Sequence, residues 1–311
     1  MKALPCGALS LLLFGVNAAR ADESAFPLLE LMARNVRATH YHGVFTYQEG
    51  QRTRSARIVH TVVDGVEQER LQDLDGAGRE FLRMQHPLDC EHAGHRLLSS
   101  PAAAASLSNP GLAQFYAVEM DGTERIANRE GRRLRISPRD PYRYGMTLVL
   151  DTESALPLKA ETTDGAGRVL ERVQFVELVV GGAIPAADMF TAEPGARIDA
   201  SHAASRDAEA ERFSWSVSWL PAGFAESARE RRQGETGQEV ETRMFTDGLA
   251  VFSVFVEHQS DADVTGPGQA AQGATVAYVA PRLPEGVVTV VGEIPPETAR
   301  LVANAVSFAT P

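Results

Sequence analysis

The 311-residue sequence predicts an α+β protein, with one large antiparallel sheet curled into an unclosed barrel and a smaller α+β unit behind it. Three observations lead there. Short segments with two-residue apolar alternation recur between Glu-Gly and Asp-Gly dipeptides, the pattern of hairpins in a meander. Strands do not alternate with long helices, which disfavours a parallel nucleotide-binding sheet. A polar, small-residue stretch, Ala192 to Arg212, separates two regions that each carry apolar strands.

Residues 1–21 read as a cleaved export signal. Lys2 supplies the positive start, Ala8 to Val16 is an apolar run too short to span a bilayer, and Ala19-Arg20-Ala21 offers the small-x-small cleavage pattern. The mature chain then begins at Asp22. Phe26 to Arg37 follows as a helix, with Leu28, Leu31, Met32 and Val36 at helical spacing. The period then changes to two. Strands are predicted at His42–Gln48, Arg57–Val63, Glu67–Leu74 and Arg79–Arg83, with turns at Glu49-Gly50, Asp64-Gly65 and Asp75-Gly76. Ser99 to Pro110 is a small-residue connector, followed by a helical or irregular stretch to Met120. Strands resume at Arg132–Ile136, Met146–Leu150, Pro157–Glu161 and Val169–Leu178. This gives a large unit over 22–195, a linker over 196–212 and a small unit over 213–311. The small unit has strands of its own and a closing helix started by Pro295-Pro296, proline being tolerated in a first turn.

Composition narrows the function. A net charge of −11 argues against nucleic acid and gives no general attraction to an anionic membrane. Cys6 leaves with the signal, so Cys90 stands alone and has no intrachain disulfide partner; a small buried thiol and an intermolecular bridge both stay open, the first favoured. His86, Cys90, His92 and His95 are the one metal-like cluster, but their spacing matches no common zinc pattern, and no metal or other cofactor is expected. The sequence has no Gly-x-Ser-x-Gly elbow, phosphate-cradling loop or His-Glu-x-x-His pair, so no catalytic residue is assigned.

Two sets of residues admit a binding role. The seven arginines between Arg125 and Arg143 suit a phosphate or carboxylate, and equally an exposed strand face, which is the favoured reading. Phe45, Tyr47, Ile58, Val59 and Phe81 are candidates to line a lipid-sized cavity on the concave side of the sheet; an ordinary core explains them as well.

With these residues laid out, the chain resembles the RseB/MucB family of periplasmic regulators of the envelope-stress sigma factor. The resemblance rests on Tyr41–Tyr47, Ile58–His60 with Glu69–Glu80, Ile136–Gly145 (Ile-Ser-Pro-Arg-Asp-Pro-Tyr-Arg-Tyr-Gly), Trp219–Phe224 and Val290–Pro296, together with the strand–turn–strand Met244–Phe255. It implies a large unit similar to lipoprotein carriers, with an apolar cavity. It also implies that the small unit and linker help bind the periplasmic domain of a membrane anti-sigma factor and shield it from site-1 proteolysis. Lipopolysaccharide or lipoprotein acyl chains are the implied releasing ligands, and self-association into a homo-oligomer is implied as well. Where the family usually has a Thr-Gly-Leu-Pro turn, this chain has Glu153-Ser-Ala-Leu-Pro157. Alanine at a left-handed position costs about 1 kcal/mol relative to glycine, so the turn is expected to change shape. Cys90 to His95 also departs from the family pattern.

The leading reading is therefore a regulatory binding protein. Trp219, Phe245, Phe252 and Phe255 are taken to build the partner-binding region, forming the core whose exposed neighbours face the partner. A lipid or lipoprotein carrier is the alternative, disfavoured because such a carrier needs no second unit. A hydrolase would need a cleft of converging titratable groups.

Overall fold

The computed structural model describes residues 25–76, 80–84, 111–182, 184, 197–200, 213–233, 237–258, 266–282 and 285–308. The predicted signal, the His86–His95 cluster with Cys90, and linker residues 201–212 lie outside them. Among the described residues no helix is long and apolar enough to cross a membrane.

A ten-stranded sheet makes up the first part of the chain. Helix α1 (Phe26–Ala38) leads into β1 (Tyr41–Glu49), β2 (Arg52–Val63), β3 (Val66–Asp73) and β4 (Glu80–Met84). A single helical turn, α2 (Leu112–Phe115), precedes β5 (Tyr116–Ile126), β6 (Arg129–Pro138), β7 (Gly145–Asp151), β8 (Pro157–Thr163) and β9 (Val169–Val180). The spatial order is β10-β4-β3-β2-β1-β9-β8-β7-β6-β5, with β10 being Arg197–Ala200. Among the described residues β10 and β5 are the outer strands and do not pair with each other, so the barrel is unclosed.

Local chemistry sets the hairpins. Asp64 and Gly65 both adopt positive φ (+52° and +78°) between the paired Val63 and Val66, a two-residue turn whose twist matches the flanking strands. One face of the sheet buries Phe45, Ile58, Leu134, Leu148, Leu158 and Phe175 against Leu29, Met32 and Val36 of α1. Those three share one helical face at the expected spacing.

The second part has its own core. β12 (Ala225–Gln233), β13 (Glu239–Thr246), β14 (Val251–Glu257), β15 (Gly268–Gln272), β16 (Thr275–Arg282) and β17 (Gly286–Gly292) form a six-stranded antiparallel sheet, ordered β12-β13-β14-β17-β16-β15. Helix α3 (Pro296–Asn304) lays Ala299, Val302 and Ala303 against Phe252, Val254, Val288 and Val290. A two-stranded ribbon of β11 (Trp215–Val217) and β18 (Val306–Phe308) adds Trp215 and Val306 to the same core.

The structure departs from the sequence reading at four places. Arg197–Ala200, inside the predicted linker, pairs with β4, the one parallel pair among the described residues. The stretch expected to stay helical or irregular to Met120 is helical only to Phe115 and is strand from Tyr116. β12 and β15 were not foreseen, because both are exposed edges without apolar alternation. Finally, Ala155 is buried at φ +57°, so this turn keeps a left-handed residue despite the alanine.

Candidate functional site

The two sheets meet through a knot of side chains built largely from the segments singled out above. Arg143 stands just before β7, and Asp247 at the tip of the β13–β14 hairpin. Both side chains are 0% exposed, with Arg143 Nε 2.6 Å from Asp247 Oδ2. The same carboxylate oxygen accepts the Tyr116 hydroxyl at 2.8 Å. Its other oxygen accepts the backbone N–H groups of Leu249 and Ala250 at 2.9 and 2.8 Å, which fixes the hairpin tip. The remaining Arg143 nitrogens donate to Asp140 and to the carbonyl of Ala222.

Aromatic rings enclose this guanidinium. Its carbon lies 4.9 Å from the centroids of Phe115 and Phe224 and 5.7 Å from that of Tyr116, within cation–π range. Burial opposes the charge on Arg143, but the hydrogen-bonded Asp247 carboxylate more than compensates and holds it above the ordinary arginine value. Burial, then the Asp247 charge, pushes the Tyr116 phenol well up, so it stays a donor. Gly223, at φ +91°, lets Phe115 close in: a Cβ there would sit 2.3 Å from a ring carbon. Nearby, Tyr142 meets Trp219 edge-on at 5.3 Å, and Thr298 donates to the Tyr142 carbonyl at 3.1 Å.

A second contact lies at the β15–β16 turn. Ala274 N–H donates to Glu171 Oε1 at 2.8 Å, and Gln272 donates to Glu49 at 2.5 Å. Glu171 is wholly buried, and its Oε2 has no hydrogen-bond partner. Burial, followed by the charge of Glu293, raises its carboxyl to about 7; Glu49 adds to this, while Ala274 N–H and the Tyr47 hydroxyl oppose it. Between the two contacts runs a groove of about 950 Å³. Its walls include Met146, Val169 and Leu170 from the large sheet, and Ala271, Gly273 and Pro295 from the small one.

The predicted site residues are distributed as follows. Phe45 and Ile58 are buried in the large core, with Tyr47 packed against it. Val59 is buried but alternates away from Ile58. Phe81 lies in β4 opposite Leu71, its side chain outside the described residues. Phe245 and Phe252 stack at 5.3 Å inside the small core, Trp219 flanks that core and touches Tyr142, and Phe255 is half-buried. Of this set, Trp219 reaches the junction knot through Tyr142, and Phe252 through Phe224, whose ring centroid lies 5.1 Å away.

Arg143, one of seven arginines assigned to an exposed face, is instead the centre of that knot. The Asp140-x-x-Arg143 spacing was the available signal. Of the others, Arg129 is also tied up, held by Asp151 at 2.8 Å. Glu239, Glu241 and His258 bring ligand atoms within 4.8 Å of one another, yet Arg231 lies 2.5 Å from Glu241 and supplies the positive charge a cation would bring. The cluster is an ion-pair network.

Two β cores locked by a buried ion pair, with a groove between them, define a two-part protein whose shape suits holding a partner. The chain's relatives have that character. The sequence profile of the MucB/RseB N-terminal domain matches residues 24–193, and that of the MucB/RseB C-terminal domain matches 209–307. The chain belongs to the MucB/RseB family. It is 36% identical over 303 residues to the sigma factor AlgU regulatory protein MucB of Pseudomonas aeruginosa, covering 94% of this chain and 93% of that one. It is 27% identical to the sigma-E factor regulatory protein RseB of Escherichia coli, covering 96% and 94%. The crystal structure of MucB in complex with MucA(peri) superposes with a TM-score of 0.73 at 32% identity, covering 92% of this chain and all of that one.

Proposed function

We propose that this protein is an exported, periplasmic regulator that holds the periplasmic segment of a membrane anti-sigma factor, shields it from site-1 proteolysis and so restrains a sigma-factor stress response, without catalysing a reaction. Kinship along nearly the whole chain to sigma-factor regulators, one of them solved with its MucA(peri) partner, carries this reading. In it, the large unit (22–195) and the small unit (213–311), joined through 196–212, act together, and the groove between the sheets receives the partner. Phe245 and Phe252 then serve as the scaffold that holds the groove wall. Sensing of lipid by the large unit belongs to the same proposal.

Val169 offers a clean test, being 42% exposed on the groove wall. Titration calorimetry with the periplasmic segment of the anti-sigma factor should show at least about tenfold weaker binding for Val169→Arg, the loss of one good apolar contact and the insertion of a charge. Its thermal midpoint should be unchanged. Undiminished binding would move the partner away from the groove.

A further inference from the structure

Glu171 joins the two sheets at the groove wall in a way its surroundings leave half-satisfied. The residue is wholly buried in β9, opposite Thr162 of β8. One carboxyl oxygen accepts the Ala274 N–H of the small sheet; the other has no hydrogen-bond partner, and Glu171 makes no ion pair among the described residues. The titratable groups around it are Glu49 and Tyr47 from β1, Tyr144 from the segment before β7, and Glu293 after β17. None of these is a cation, so a buried negative charge here is offset only by the Ala274 N–H and the Tyr47 hydroxyl, which do not outweigh its burial and the neighbouring carboxylates. Gly273, at φ +58°, sits so close that a Cβ would lie 2.5 Å from Glu171 Oε1. The turn therefore rests directly on the carboxyl, and Gly273 and Leu170 also line the groove.

We propose that Glu171 is a proton-operated latch: protonated, it lets the β15–β16 turn close onto the large sheet, and ionised, it favours lifting of that turn and opening of the groove. In the closed form the acid and a buried Glu293 share one dry site. In the lifted form water reaches Glu171 and its charge costs little. By linkage, the closed form binds more protons, so closure weakens as pH rises from about 4.5 to about 7 and levels off above. The regulation of partner binding by this latch rests on the function proposed above; the latch itself does not.

The direct readout is hydrogen exchange at the Ala274 amide in the full chain without partner, corrected for intrinsic rate, between pH 4.5 and 8. Protection should fall by up to about 300-fold, the equivalent of the shift from 4.5 to 7. In Glu171→Gln, which mimics the neutral form, it should stay flat. Should that variant not fold, Glu293→Gln serves, because removing one repelling charge lowers the closed-form value and should make the fall smaller and end it at lower pH. A pH profile that is flat in the wild type, or unchanged by either substitution, overturns the latch. Calorimetry with the anti-sigma segment at pH 5.5 and 8 should show weaker binding at pH 8. Absence of binding at both would sink the proposed function and leave the latch standing, whereas pH-independent binding beside a flat exchange profile would sink the latch alone.

Discussion

Replacing Asp247 by alanine should break the junction between the two cores. The change removes four hydrogen bonds at once: those from Tyr116, Arg143, Leu249 and Ala250. Two of them fix the hairpin tip, and each contributes about 1 kcal/mol. The larger effect falls on Arg143, left wholly buried and charged with only Asp140 and the Ala222 carbonyl in reach. Removing one member of a buried pair costs about 3–5 kcal/mol, most of it the penalty of the stranded charge. Denaturant melts followed by fluorescence should show it, since both tryptophans, Trp215 and Trp219, lie in or beside the small core and Trp219 touches Tyr142. The cooperative transition should move by that amount or split into two as the cores uncouple. The double variant Arg143→Met with Asp247→Leu should recover the part of the loss that comes from the stranded buried cation, while the Tyr116, Leu249 and Ala250 donors stay unpaired and the partly exposed Asp140 turns to water. A loss under about 0.5 kcal/mol in Asp247→Ala, or a double variant as unstable as the sum of the singles, would refute the reasoning.

Three more outcomes are expected. Gly223→Ala should cost about 2–4 kcal/mol in a chemical melt, combining left-handed strain with a clash into the Phe115 ring; Ala222→Gly nearby, which keeps its carbonyl, should be mild. Ala155→Gly should change stability by less than about 0.5 kcal/mol, since relief of left-handed strain, about 1 kcal/mol, is offset by losing a buried methyl worth about 0.8 kcal/mol. For Glu171 the folded carboxyl keeps its proton to higher pH than the unfolded one. Its burial is thus harmless below about 4.5 and costs increasingly more up to about 7, a span of about 3 kcal/mol. Thermal melts of wild type and Glu171→Gln should therefore coincide near pH 4.5 and diverge in favour of the variant by pH 8; parallel curves would contradict the raised value.

Much of this architecture could be read from residue order. The Asp64-Gly65 turn, the α1 face and the proline-started α3 declare themselves through local chemistry, which acts over a few residues. β5 did not, because its inward alternation of Tyr116 and Val118 is broken by the bulge between Met120 and Thr123, with Gly122 at φ +91°. β12 was hidden for another reason: as an edge strand with nearly every side chain exposed, it buries no stripe that a pattern could reveal. The junction was partly legible, since Tyr142, Arg143, Gly223 and Asp247 all fall within segments that carried the family resemblance. Their role was not. Locally only the Asp140-x-x-Arg143 spacing sets the buried Arg143 apart from Arg135, which is more than half exposed; its burial depends on a carboxylate 104 residues away.

That distance along the chain also sets an order of events. Arg143 and Tyr116 emerge long before the aspartate that neutralises one and orients the other, separated from it by 104 and 131 positions. A polypeptide threaded out from its amino end can assemble most of the ten-stranded sheet while this cation still has no acceptor but its near neighbour Asp140. Only arrival of the β13–β14 hairpin completes the lock, a late, long-range closure of the kind that is slow and depends on everything before it. Until then the seam lies open, and a chain stalled or clipped before position 247 would present an unfinished edge to any protease that meets it.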